Sequence, residues 1–112
     1  MIEKTILDHI SATLKVSCGM ERPANAPASF VVVEKTGESR TNGINTAILA
    51  VQSYGATLYE AACLNEEVKA AMFSAQALPE IAAVRLNSDY NFTDTDTKRY
   101  RYQAVFDVTY YD

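Results

Sequence analysis

The chain has 112 residues, of which 48% are apolar and 21% charged, ordinary proportions for a soluble globular protein of one domain, 1–112. Fourteen acids against ten bases leave a net charge of −4. That balance argues against a nucleic-acid binder, which carries a basic surplus on one face, but not against a protein that DNA passes without sticking.

MIEKTILDHI opens the chain with charges inside its apolar pattern and no small-residue cleavage site, so it does not read as a signal peptide. No apolar run reaches bilayer-spanning length. Ile2, Ile6 and Ile10 recur every four residues beside Leu7 and Leu14, which predicts an amphipathic helix over 2–14. Gly19, Pro23 and Pro27 mark an irregular stretch, with a short strand expected near Val16. Two strands follow, SFVVVEK at 29–35 and NTAILAVQSY at 45–54, joined as an antiparallel hairpin. Between their apolar parts, EKTGESRTNG at 34–43 reads as a long, solvated tip.

Thr57 and Glu60 have capping-box spacing after Gly55. Leu58, Ala61, Leu64, Val68, Ala71 and Met72 then form one helical stripe, and Pro79 closes the region. In 84–92, Val84, Leu86, Tyr90 and Phe92 alternate with polar residues; in 99–110, Tyr100, Tyr102, Ala104, Phe106, Val108 and Tyr110 do so. Period-two alternation predicts strands with one buried face, joined through the TDTDT turn at 93–97. The expected fold is α+β in the order α-β-β-α-β-β. It has an antiparallel or mixed sheet of four to five strands with both helices on one face, and Ile6, Ile10, Leu58, Leu64 and Val68 inside.

No catalytic signature stands out. His9 is the one histidine, and no nucleophile motif such as GxSxG accompanies it, so a boundary histidine on the first helix is the better reading. Cys18 and Cys63 lack ligand spacing and read as reduced, half-buried packing residues. Asp89, Asp94 and Asp96 cluster in sequence, but Arg99 and Val105 stand where a calcium loop needs glycine and glutamate. Solvated turn aspartates are favoured there, with weak ion binding the alternative. KRYRY at 98–102 interleaves bases and tyrosines as single-strand binders do, yet the strand period puts Tyr100 and Tyr102 on the apolar face. Neither a metal nor a cofactor is expected.

Three segments resemble the tail terminator (tail completion) proteins of long-tailed bacteriophages and prophages, relatives of which are called minor tail or head–tail joining proteins. They are ERPANAPASFVVVEKTG, AILAVQSYGATLYEAACLNEEVKAAM and DYNFTDTDTKRYRYQAVFDVT, running from about residue 20 to the end. The pieces that carry the resemblance are a strand ending in Lys35, Thr36 and Gly37, then Gln52, Tyr54 and Glu60–Ala61, then Arg101–Tyr102–Gln103. The chain departs from the pattern at Glu38, where a second glycine is expected, and near Tyr54, where tryptophan is common.

The resemblance implies a structural virion protein rather than an enzyme. Such subunits form a ring, usually a hexamer, on the tail tube; the ring ends tube polymerisation and joins the filled head. Implied partners are other copies of the chain, the tail tube protein and the head–tail connector proteins. DNA would slide through the ring without specific binding, past a channel wall richer in acids than bases. The implied place is the head–tail junction of the virion, after assembly in the bacterial cytoplasm. A head-side connector or other neck protein is the nearest alternative, and a small enzyme or ligand-binding domain outside phages is a third. Under the first reading the tip is an assembly arm, mobile until it orders on a neighbour, with Lys35, Thr36, Gly37, Glu38, Arg40, Asn42 and Gly43 as candidate interface residues. The plainer reading of the tip is a surface loop without a role. The apolar surplus on both faces of 29–35 and 45–54 also points to a partner interface.

Overall fold

A computed structural model describes residues 1–111. Helix α1 runs Ile2–Leu14, and its four-residue isoleucine spacing does what the period requires: Ile2, Ile6 and Ile10 are all buried. Each such side chain removed from water stabilises the fold by about 1.5–3 kcal/mol. Lys15, at φ 58°, ends the helix in the left-handed region, its N–H held by the Ser11 carbonyl at 3.0 Å. Strand β1 is only Cys18–Gly19. After an irregular stretch come β2 (Phe30–Thr41) and β3 (Ile44–Gly55), then α2 (Leu58–Ser74), a short 3₁₀ turn, β4 (Ile81–Asn91) and β5 (Tyr100–Tyr111).

The fold is α+β, with a five-stranded sheet in the order β1-β2-β3-β5-β4. β1 runs parallel to β2 and every other neighbouring pair is antiparallel, so the sheet is mixed. The expected order α-β-β-α-β-β is matched in part: an additional short strand, at Cys18–Gly19 rather than near Val16, precedes the first hairpin. Both helices cover one face of the sheet. There Ile6, Ile10, Leu64, Val68 and Met72 pack against Val31, Val33, Leu49, Val51, Phe106 and Val108 in one core.

Thr57 caps α2 as its spacing predicts, its hydroxyl accepting the Glu60 N–H at 3.1 Å. Leu58, expected inside, is instead exposed. The chain enters α2 where Gly55 presses against the backbone of Ala61, so the inward stripe begins at Ala61 and leaves the first helical residue outside.

The alternation of β4 is also broken. Val84 is buried, but Leu86, Tyr90 and Phe92, expected on the buried face, are exposed. Leu86 pairs with Phe106 and Ser88 with Val105, so Asn87 is an extra residue. A bulge of this kind reverses the parity of everything after it. Asp89 thereby turns to the helix face and Tyr90 to the other. α2 also lies mainly over β3 and β5, which leaves the outer strand thinly covered.

The opposite sheet face carries no helix. At one end Phe30, Val32 and Tyr54 are buried under the irregular stretch, where Ala26 packs on them and the Arg22 guanidinium sits 5.2 Å from the Tyr54 ring centroid. Part of the apolar surplus on β2 and β3 is therefore used within the chain.

Candidate assembly surface

The polar stretch 34–43 is not a long loop. β2 continues to Thr41, β3 starts at Ile44, and Asn42–Gly43 alone makes the turn, with Thr41 paired to Ile44. Asn42 at φ 52° and Gly43 at φ 78° are both left-handed, as a two-residue primed hairpin turn demands. Polar residues remain in register here because β3 is paired on its other side to β5 as far as Tyr111, so the sheet itself extends to the tip. The long tip expected over 34–43 is therefore a two-residue turn carried on an extended strand pair.

The candidate residues divide between two faces and the turn. Lys35, Glu38 and Arg40 stand opposite Leu49, Ala47 and Asn45, on the helix side. Thr36 is the extra residue of a bulge, its hydroxyl donating to the Ile48 carbonyl at 3.4 Å. Gly37 lies on the helix-free side opposite Ile48, where a Cβ would come 3.7 Å from Ile48 Cδ1. Asn42 and Gly43 form the turn.

Lys35, Glu38 and Arg40 form one wall of a groove of about 390 Å³ whose other wall is the first turn of α1 with Glu80 and Tyr110. Glu38 accepts a hydrogen bond from the Tyr110 hydroxyl and pairs with Lys35 at 3.4 Å. The Tyr110 bond, followed by those cations, holds the Glu38 carboxyl below the usual glutamate range. Arg40 Nε donates to Oδ1 of the fully buried Asn45 at 2.7 Å.

The helix-free face of the same hairpin carries Ile44 and Ile48 on β3 and Tyr111 on β5, all exposed. Ile44 pairs directly with Tyr111, and the Thr46–Thr109 pair separates them from Ile48. The polar run directly before Ile44 masks these three in the sequence. The signal was present: 44, 46 and 48 share one strand face, and two of the three are isoleucine.

Nearer the covered end, this face is held by a polar chain. Gln52 donates to Gln103 at 2.8 Å, Gln103 donates to the Tyr90 hydroxyl, and the Tyr54 hydroxyl donates to Gln52 at 3.3 Å. Arg101 donates to the Tyr54 oxygen at 2.8 Å and lies 4.5 Å from the Phe92 centroid. KRYRY thus behaves as its period predicts. Arg101 lies on the outer face and Tyr102, paired with Ser53, on the helix side.

The three aspartates do not converge. Asp89 Oδ1 accepts from Asn65 at 2.7 Å and Oδ2 from Lys69 at 2.6 Å, tying β4 to α2. Asp94 Oδ1 accepts the N–H groups of Asp96 and Thr97, closing the β4–β5 turn. Among the described residues no group of three or more His, Cys, Asp or Glu is placed to hold a metal ion. His9 Nε2 lies 2.8 Å from the Ser74 hydroxyl and 3.0 Å from the Ala71 carbonyl, joining α1 to the end of α2. Cys18 is half-buried as expected, and burial raises its thiol pKa. Cys63 is exposed on α2, contrary to expectation, because at about 100° per residue it falls on the face away from the stripe that begins at Ala61. No helix among the described residues is long and apolar enough to cross a membrane. No protein-family model matches the chain, and neither does any curated protein.

Proposed function

We propose that the chain is a structural subunit of a phage tail, a tail terminator that forms a ring with copies of itself on the tube end and offers the surface on which the head docks. The resemblance of its three segments to that family motivates the reading. The observation that carries it is the Ile44, Ile48 and Tyr111 patch, which shares an ordered hairpin with the charged set Lys35, Glu38 and Arg40. Apolar side chains left bare on a helix-free sheet face beside ordered charges suit an interface between proteins. Catalysis has no part in this reading, and no cofactor is needed.

Electron microscopy of the purified protein mixed with the tube protein encoded beside it tests the proposal. Tubes of uniform length ending in a ring are the expected outcome. Tubes of uncontrolled length without rings overturn it. Rings that bind the head-side connector and ignore the tube would mark a neck protein instead.

A further inference from the structure

Two arginines on the helix-free face share one aromatic ring. The guanidinium carbons of Arg22 and Arg101 stand 5.2 and 5.7 Å from the Tyr54 centroid, so their separation is at most the sum of those two distances. Neither joins an ion pair among the described residues. Arg22 Nε is buried with no hydrogen-bond partner, and Nη2 reaches the Ala26 and Pro27 carbonyls only at 3.5 Å. Arg101 donates to the Phe92 carbonyl and the Tyr54 hydroxyl, both neutral. Asp94, close enough for Arg101 to act on its carboxyl, already accepts the Asp96 and Thr97 N–H groups. The exposed acids Glu21, Glu34 and Asp96 are not within ion-pair distance of either guanidinium. Further along the face Arg85 stands opposite Asp107, so those two charges offset each other. Two like charges held on one ring favour carboxylates arriving from outside.

The other side of the molecule carries the complement. On α2, Glu66 is engaged by Lys69, whereas the exposed Glu60 and Glu67 join no ion pair. Lys15 borders the groove that they line, one cation for two acids. Glu60 and Glu67 lie two turns apart on one flank, about 10 Å along the helix, a spacing within the limit set by the shared ring. We propose that copies of the chain join head to tail, with Glu60 and Glu67 of one copy meeting Arg22 and Arg101 of the next. The two surfaces lie on opposite sides of the sheet, so a single twofold contact cannot engage both. Repetition of such a contact closes a ring when its rotation permits. The inference deepens the assembly reading by naming the surfaces through which copies meet, and it rests on that reading only for the closed ring.

The test uses the full chain alone, labelled with ¹⁵N. Raising its concentration from micromolar to millimolar should shift the amides of Arg22, Arg101, Glu60 and Glu67 together. Arg22→Glu and, separately, Glu60→Lys with Glu67→Lys should each weaken self-association roughly tenfold or more, the effect of losing charge-assisted hydrogen bonds. Mixing the two variants should restore association and stop it at a one-to-one pair in sedimentation, because the intact arginines of one then meet the intact glutamates of the other. Wild type without concentration-dependent shifts, association that survives either change, or a mixture that stays monomeric overturns the proposal. Should Arg22→Glu fold poorly, a nitroxide on the exposed Cys63 of unlabelled protein gives a second readout. It should broaden the Arg22, Arg101 and Phe92 amides of labelled copies. Broadening confined to α2, or none, overturns the head-to-tail contact. No tube protein is present, so this result and a failure to cap tubes are separate.

Discussion

Gly55 and Ala61 meet backbone to backbone: a Cβ on Gly55 would lie 2.4 Å from the Ala61 nitrogen and 2.9 Å from the Glu60 carbonyl carbon. Neither atom belongs to a flexible side chain, so the junction of β3 and α2 has no room for a methyl group. Gly55→Ala should destabilise the protein by about 1–3 kcal/mol, the usual range for forced overpacking. Urea denaturation measures this, and an unchanged midpoint would show that the contact yields at no cost.

Asp89 is held to α2 by Asn65 and Lys69. Replacing it with alanine removes two hydrogen bonds to a carboxylate that is only 26% exposed. The expected loss is about 1–2 kcal/mol after allowance for solvent screening. Asp89 foremost, with Glu66, raises the Lys69 pKa. A raised lysine contributes stability below its unfolded value and loses it as pH rises through the folded one. Wild type should therefore lose stability relative to Lys69→Met only at strongly alkaline pH. Thermal denaturation of the pair across that range decides it.

The Asp94 carboxyl lies below the ordinary aspartate value, first through the Thr97 hydroxyl and then through the Asp96 and Thr97 N–H groups. The sign is that of a lowered acid: its contribution is present above the unfolded value and disappears as pH falls through the folded one. Carboxyl NMR titration of Thr97→Val should move the Asp94 pKa back up. An identical titration curve in the variant would remove the hydroxyl from the account.

Gly43→Val puts a β-branched residue at φ 78°, which should cost about 1–2 kcal/mol. It should also loosen the hairpin ends without unfolding the rest, visible as faster amide exchange at Thr41 and Ile44. Uniform exchange across β2 and β3 in both proteins would contradict this.

Ile48→Asp on the helix-free face sets a second carboxylate opposite Asp107, so monomer stability should fall by about 0.5–1.5 kcal/mol with the fold retained. Under the proposed function the same change should abolish ring formation, measured by light scattering and microscopy. Rings of normal size from a folded Ile48→Asp protein would exclude this patch from the interface.

The strongly periodic elements were legible: both helices, the Thr57 cap, the apolar face of β5 and the hairpin of β2 with β3. What escaped was decided by single residues whose effect is not local. Asn87 looks like any polar strand residue, yet as a bulge it exchanged the faces of Asp89 and Tyr90. Polar residues 34–41 looked like loop because strand propensity there is weak, and the β3–β5 pairing that keeps them extended lies about sixty residues away. Of the candidate interface, Asn42–Gly43 carried its own turn signal, which the length of the surrounding polar run obscured.

The open edges of the sheet are irregular: β2, which β1 covers only at Val31 and Val32, slips register at Thr36, and β4 does so at Ala82 and Asn87. Open edges without such kinks invite further strands from other chains, and the usual result is fibrillar aggregation. Irregular edges twist away from a flat incoming strand and leave its hydrogen bonds mismatched. A protein so guarded should remain dispersed when highly concentrated or warmed, and should join others through side-chain surfaces rather than by lengthening its sheet.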